Sequence, residues 1–113
     1  MVDSDRLETL RQLLLVADEA ADLASVFRLL GEPTRVRILY ALLEGGELCV
    51  CDLAALVEAS ETKVSQAMRL LRTARVVRSR RSGRNVFYRL DDAHVRMVLD
   101  LTREHRGHVE GTA

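Results

Sequence analysis

Ser60-Glu-Thr-Lys-Val-Ser-Gln66 opens a predicted helix that reaches about Ala74, and Val76-Val-Arg-Ser-Arg-Arg-Ser-Gly-Arg-Asn-Val-Phe-Tyr-Arg-Leu90 follows it. Ser60 can begin this helix, because its hydroxyl can accept a hydrogen bond from a free amide of the first turn. The runs 76–81 and 85–90 alternate like strands around Ser82-Gly-Arg84, which predicts a β-hairpin. A helix followed directly by a basic hairpin is therefore the central unit of the chain.

The segment before this unit predicts a second, shorter helix. It runs from about Val50 to Val57, and Glu58-Ala-Ser60 forms a tight turn between the two helices. Two helices joined by so short a turn are typical of a helix-turn-helix, although ordinary helical hairpins look alike. The hairpin strengthens this interpretation because it takes the place of a wing. We therefore predict a mainly α, homodimeric winged helix-turn-helix fold with a β-hairpin wing.

Helices are also predicted on both sides of this unit, within one domain of residues 1–113. Residues 4–30 carry one apolar stripe and predict a helix that Gly31 ends. This helix packs either on a partner subunit, as a dimerisation region, or on its own core. Pro33 suits the first turn of a helix that runs to about Leu43 before Gly45-Gly46. Residues 91–110 predict a final helix.

The charge distribution indicates a nucleic-acid partner. The formal net charge is zero, but residues 63–90 hold nine Lys or Arg and no Asp or Glu. A solvated helix face normally mixes both signs, whereas a basic block is the electrostatic footprint of nucleic-acid binding. Side chains that read base edges or contact phosphates are expected on the second helix and the wing. The predicted contacts with double-stranded DNA are Ser60, Thr62, Lys63, Ser65, Gln66, Arg69, Arg80, Arg81 and Arg84.

All three histidines of the chain lie on the predicted final helix. His94 and His105 share a face but stand about 16 Å apart along the axis, at about 1.5 Å per residue. A single zinc ion cannot reach both, because its ligand bonds are about 2 Å long. Asp92 with His94 and His105 with His108 instead form two half-sites. The alternative is that three exposed histidines occur on one helix by chance.

A second copy of the helix, running antiparallel in a two-fold dimer, would complete both half-sites. Asp92 and His94 of one subunit would then meet His105 and His108 of the other. Such a donor set of imidazoles and one carboxylate suits Zn(II), and also Co(II) or Ni(II).

The chain resembles the ArsR/SmtB family of bacterial metal-responsive repressors over about residues 20–110. The residues that carry the likeness are Leu30-Gly-Glu-Pro-Thr-Arg-Val-Arg-Ile-Leu39, Glu47-Leu-Cys-Val-Cys-Asp-Leu53, Val64-Ser-Gln-Ala-Met-Arg-Leu-Leu-Arg72 and Ser82-Gly-Arg-Asn-Val-Phe-Tyr-Arg-Leu90. In that family the apo dimer binds operator DNA and metal releases it. The resemblance to the zinc-sensing branch implies that Asp92, His94, His105 and His108 bind the metal. It also implies a regulated efflux pump or metal-sequestering protein.

The Cys49-Val-Cys51 pair is a candidate for a second metal site. In this family a Cys-Val-Cys site serves thiophilic ions, and thiolates favour Cd(II), Pb(II) or As(III). Family members with that site add further cysteines, but Ala54 holds one such position and residues 1–48 contain no cysteine. The pair is interpreted as a relic or a weak accessory site, with Cys49 filling the core as free cysteines often do. Ala67 is a further departure, because many members have His there.

We therefore predict a repressor that Zn(II), Co(II) or Ni(II) releases from DNA. The alternatives are an As(III), Cd(II) or Pb(II) sensor that uses Cys49 and Cys51, a thiol redox sensor, and a metal-independent DNA-binding protein. A zinc enzyme is set aside, because four protein ligands leave no open coordination position and no nucleophile pair is evident. No signal peptide or membrane span is evident, so a cytoplasmic protein without a small-molecule substrate is expected.

Overall fold

The computed structural model describes residues 3–111, with side chains up to Val109. Residues 1, 2, 112 and 113 of the predicted 1–113 domain lie outside the described residues. In chain order the elements are α1 (Ser4–Leu13), α2 (Ala17–Leu30), α3 (Pro33–Gly45), β1 (Leu48–Cys49), α4 (Val50–Val57), α5 (Glu61–Thr73), β2 (Val77–Ser82), β3 (Asn85–Leu90) and α6 (Ala93–Gly111). The predicted winged helix-turn-helix architecture is confirmed.

The hydrophobic core lies between α3, α4, α5 and the sheet. The buried side chains of α5 are Val64, Ala67, Met68 and Leu71, which recur at the helical spacing of three and four. Leu70 lies beside this stripe and is 52% exposed. The largest fully buried side chains of the described residues are Ile38, Leu39, Leu42, Leu53, Met68, Leu71, Val64 and Val77.

The wing belongs to a three-stranded antiparallel sheet with the order β1-β3-β2. Ser82 pairs with Asn85, so the hairpin turn consists of Gly83 and Arg84. Gly83 has a φ of 62°, a left-handed conformation that glycine adopts without steric cost. The sequence did not predict β1, whose Cys49 pairs with Phe87. This short strand joins the wing to the beginning of α4.

The N-terminal region forms two helices, and the prediction of one helix over residues 4–30 was wrong at its centre. The chain is extended around Leu14 and Val16, which follow α1 and precede α2. Asp18 and Glu19 lie in the first turn of α2. Carboxylates stabilise the positive end of the helix dipole, so these residues favour a new helix start that the apolar spacing alone did not reveal.

The terminal helices extend from the body of the molecule. The radius of gyration is 18.2 Å, against about 13 Å for a compact chain of about 100 residues. Neither α1 nor α2 has a buried residue in the single chain. In α6, Leu99 is buried against the core, whereas Met97, Val98 and Leu101 are exposed. None of the helices in the described range is long and apolar enough to cross a membrane.

Candidate functional site

The helix-turn-helix is held by local hydrogen bonds that its sequence encodes. Glu58 ends α4 in the left-handed region with a φ of 56°. Ser60 accepts a hydrogen bond at its Oγ atom from the Lys63 amide at 3.1 Å, as an N-cap should. Arg37 of α3 donates from Nη1 to the Val57 carbonyl at 3.1 Å. These contacts fix the direction in which α5 leaves the turn.

One face of α5 is buried and the other presents the predicted DNA contacts. Six of the predicted DNA contacts are exposed on this side: Ser60, Thr62, Lys63, Ser65, Gln66 and Arg69. Ala67, at the position where many family members have His, is buried at the edge of the core. The exposed face of α5 therefore consists of hydroxyl, amide and cationic groups, which suit base edges and phosphates.

A polar cleft of about 350 Å³ separates α5 from the wing. Arg72 donates from Nη1 to the Ser79 hydroxyl at 3.4 Å across it. No acidic side chain lines the cleft, whose residues are Ser65, Arg69, Arg72, Ser79, Arg81, Val86 and Tyr88. Arg72 and Ser79 were not among the DNA contacts predicted from the sequence, although the basic block contained the former. The cleft has the chemistry of a site for a backbone phosphate.

The arginines of the wing differ in their surroundings. Arg78 forms an ion pair with Asp91. Arg80 donates to Glu47 from Nε at 2.9 Å and from Nη2 at 2.5 Å. Arg81 lines the cleft, and Arg84 is exposed in the turn of the hairpin. Arg81 and Arg84 thus stay predicted DNA contacts, while Arg80 is engaged within the protein.

Asp92 and His94 lie together at the beginning of α6. Asp92 accepts a hydrogen bond at Oδ1 from the Val95 amide at 3.0 Å, which makes it the cap of the helix. Its Oδ2 atom lies 3.8 Å from Nδ1 of His94, whose side chain is 89% exposed. The hydrogen bond from the Val95 amide is the main cause of a lowered pKa of Asp92. An ionised carboxylate and an accessible imidazole therefore stand side by side.

His105 and His108 lie near the other end of the same helix. With Leu101 and Glu104 they line an open concave surface, and the side chains of both histidines are exposed. Glu104 is a nearby carboxylate that was not among the predicted ligands. Among the described side chains, α6 does not bring three metal-ligating groups together within one protomer. The helix thus keeps the two half-sites apart.

The cysteine pair belongs to a compact cluster at the beginning of α4. The ligand atoms of Cys49, Cys51 and Asp52 all lie within 4.8 Å of one another. Cys49 is 6% exposed, and its Sγ atom lies 2.6 Å from that of Cys51. The hydrogen bond shared with Cys51 is the main cause of a raised pKa of the Cys49 thiol. Asp52 was missed as a candidate ligand, although its adjacency to the pair was a signal.

Comparison with known proteins identifies the family. Residues 32–79 match the family described as bacterial regulatory protein, arsR family. Over 107 residues the chain is 44% identical to the transcriptional repressor SmtB homolog of Synechocystis sp., and the match covers 92% of this chain and 78% of the relative.

Two solved structures have the same fold. The AntR antimony-specific transcriptional repressor matches with a TM-score of 0.77 and 36% identity, over 87% of this chain and 88% of that one. The second is a homodimeric winged helix-turn-helix DNA-binding domain from Mycobacterium bovis, a possible ArsR-family regulator. It matches with a TM-score of 0.72 and 27% identity, over 86% of this chain and 93% of that one. The chain therefore belongs to the ArsR/SmtB family of winged helix-turn-helix transcriptional regulators.

Proposed function

We propose that this protein is a metal-responsive transcriptional repressor whose homodimer binds operator DNA in the cytoplasm and leaves it when Zn(II), Co(II) or Ni(II) binds. The observation that carries the proposal is the pattern along one face of α6. His94, Val98, Leu101, His105 and His108 recur at helical spacing, with two exposed apolar side chains between the histidine half-sites. Such a face suits a second helix between two metal sites.

The dimer supplies what one protomer lacks. Val98 is 48% exposed and Leu101 58% exposed, and a partner helix would remove both from water. The homodimeric structural relative supports the same assembly. In an antiparallel pair, Asp92 and His94 of one protomer meet His105 and His108 of the partner subunit, so each of the two sites has three imidazoles and one carboxylate. The sequence relative named as an SmtB homolog supports this choice of site.

The DNA-binding surface is the exposed face of α5 with the adjoining wing. Lys63 and Gln66 suit base edges in the major groove, while Arg69, Arg72 and Arg81 surround the cleft and suit a phosphate. Arg84 at the hairpin turn suits the neighbouring backbone or minor groove. A two-fold dimer would place its two recognition helices in successive major grooves.

Metal and DNA are linked negatively in this proposal. A bound Zn(II) ion would supply a cross-link between the two α6 helices, and thereby fix the relative angle of the two winged bodies. With the ion bound, Asp92 and the three histidines would hold an angle that fits the operator poorly. By linkage, DNA then weakens metal binding by the same factor by which metal weakens DNA binding. The site is regulatory and has no enzymatic role.

A second candidate effector is a thiophilic ion such as As(III), Cd(II) or Pb(II), bound by Cys49 and Cys51. The observation that favours it is the convergence of both sulfur atoms with Asp52 within one protomer. The structural relative named for antimony supports an effector of this kind. Cys49 pairs with Phe87 of the wing, so this cluster also lies close to the DNA-binding surface.

The two candidates are separated by a fluorescence-anisotropy titration of the apo dimer on a duplex from its own upstream region. Zn(II), Co(II), Ni(II), Cd(II), Pb(II) and As(III) are added separately. Release by Zn(II) but not As(III) supports the α6 site. Release only by Cd(II) or As(III) assigns sensing to the cysteine cluster, and release by none of the ions contradicts metal sensing.

A further inference from the structure

The guanidinium of Arg80 makes contacts that span all three strands of the sheet. It donates twice to Oε1 of Glu47, and its Cζ atom lies 4.9 Å from the centroid of the Phe87 ring. Arg80 belongs to β2, Phe87 to the central strand β3, and Glu47 directly precedes β1. The three side chains therefore join both outer strands of the sheet across the middle one.

Arg80 lies on the face of the wing that is turned away from α5. Successive side chains of a strand point to opposite faces. Ser79 and Arg81 of β2 line the cleft beside α5, as do their partners Tyr88 and Val86 in β3. Arg80 lies between Ser79 and Arg81 in the chain, and it does not line that cleft. Its charge consequently faces Glu47 and not the cleft.

Glu47 is well placed to retain this partner. Its side chain is 30% exposed, against 54% for Arg80, so the pair is partly shielded from water. The hydrogen bond from Arg80 lowers the pKa of Glu47, so the carboxylate stays charged to a lower pH than an ordinary glutamate does. A DNA phosphate would have to displace a carboxylate that already accepts two hydrogen bonds from the same guanidinium.

We propose that Arg80 is a positioning residue that sets the angle of the wing relative to α5, and that it makes no phosphate contact itself. This inference rests on the proposed DNA-binding function. Arg80 and Glu47 hold β2 against the segment that precedes β1, and so they fix the width of the cleft between α5 and the wing. Arg81 and Arg84 then meet the DNA backbone from a fixed platform.

The test measures DNA affinity against salt concentration for Glu47→Ala, Arg80→Ala and the double variant. Both single variants should bind about threefold to fivefold more weakly, the range expected for a partly exposed ion pair with a cation–π contact. The double variant should be no weaker than the weaker single variant, because the two side chains act as one unit. The slope of log affinity against log salt should stay at the wild-type value in all three.

Arg81→Ala is the matched control, since it removes the adjacent arginine from the cleft face. Its salt slope should fall by about 0.9 for each phosphate that the side chain no longer neutralises. The reversed pair Glu47→Arg with Arg80→Glu should bind more tightly than Arg80→Glu alone, because it restores the ion pair. Circular dichroism verifies that each variant is folded.

Three results would overturn the inference. They are tighter DNA binding by Glu47→Ala, a smaller salt slope for Arg80→Ala, or no rescue by the reversed pair. Either of the first two would mean that Arg80 contacts DNA directly and that Glu47 competes with the phosphate, and the third would mean that the ion pair does not position the wing. The wild type is measured in parallel, and its failure to bind the duplex would instead contradict the proposed function.

Discussion

The Tyr40 hydroxyl donates a hydrogen bond to the Leu99 carbonyl at 2.7 Å, and this contact ties α3 to the middle of α6. Arg103, one turn beyond Leu99, lies with its Cζ atom 5.6 Å from the centroid of the Tyr40 ring. Its Nη1 atom is 3.8 Å from Oε1 of Glu44 on α3. The helix that carries the proposed metal ligands is thus attached to the DNA-binding body between its two half-sites.

We expect Tyr40→Phe to weaken the communication between metal and DNA. The substitution keeps the ring beneath Arg103 and removes only the hydroxyl that holds Leu99. A single hydrogen bond contributes about 1 kcal/mol, so the ratio of DNA affinities without and with Zn(II) should fall about fivefold. DNA affinity without metal should change little. Anisotropy titrations in the presence and absence of Zn(II) measure this ratio.

Tyr88→Phe is the matched control, because Tyr88 is the second of the two tyrosines in the chain. It lines the cleft beside α5 and does not contact α6 through a hydrogen bond in the described residues. Its substitution should leave the ratio unchanged. An unchanged ratio in Tyr40→Phe would show that the Leu99 contact plays no part in the response.

His105→Ala should keep DNA binding and lose release by Zn(II). The side chain is exposed on α6 and is not among the predicted DNA contacts, so its loss should not disturb the fold. Removing one imidazole leaves an incomplete set of ligands in each of the proposed sites. Anisotropy measures release, and equilibrium dialysis measures zinc bound per dimer. Because imidazoles bind metal only when unprotonated, the wild-type response should also weaken at acidic pH.

Arg96→Ala on the same helix is the control for a substitution of an exposed residue outside the proposed ligand set. It should retain both zinc binding and release. If His105→Ala still leaves DNA when Zn(II) is added, the α6 site is not the sensor.

Cys51→Ser should leave the response to Zn(II) intact, because this thiol lies outside the α6 ligand set. The cysteine is exposed, and serine keeps its approximate size and polarity. Under the alternative function the same variant should lose release by As(III) or Cd(II), whereas His108→Ala should retain it. Titrations with each ion on both variants make the comparison. A Cys51→Ser variant that no longer responds to Zn(II) would contradict the proposed assignment.

Features encoded by neighbouring residues were the ones that the sequence predicted well. The Ser60 cap, the turn at Glu58 and the hairpin around Gly83 each depend on local chemistry, and all three are present. The histidine half-sites also follow from helical spacing. By contrast, Tyr40 and Leu99 are 59 residues apart in the chain, so only the folded structure shows their contact.

Some features were missed because residue patterns competed, because a partner lies far away in the chain, or because one type of ligand was not considered. The apolar spacing across Leu14 predicted a continuous helix, but the acidic residues that follow it favoured a new start. Arg80 was assigned to DNA by charge alone, and its partner Glu47 is 33 residues away. Asp52 was overlooked beside the cysteines, because the soft-metal site was predicted from sulfur ligands alone.

Glu32→Gln should destabilise the protein at neutral pH and much less in acid. The carboxylate of Glu32 caps α3, with Oε1 accepting from the Thr34 amide at 3.0 Å and Oε2 from the Arg35 amide at 2.9 Å. These hydrogen bonds, the one from Thr34 foremost, lower the pKa of Glu32 below its ordinary 4.5. A carboxyl group with a lowered pKa stabilises the fold above its unfolded pKa, and this contribution disappears as pH falls through the folded value.

The midpoint of thermal unfolding should therefore be a few degrees lower in the variant at pH 7, and this difference should shrink as pH falls below the ordinary pKa of 4.5. Both proteins contain the same other acidic residues, so the difference between them isolates Glu32. Glu61→Gln is the control, because Glu61 lies in the first turn of α5, where Ser60 is the cap. Its unfolding midpoint at pH 7 should differ less from that of the wild type than the midpoint of Glu32→Gln does. If the difference in unfolding midpoint between the wild type and Glu32→Gln stays constant from pH 7 to pH 3, the charge of Glu32 does not stabilise the start of α3.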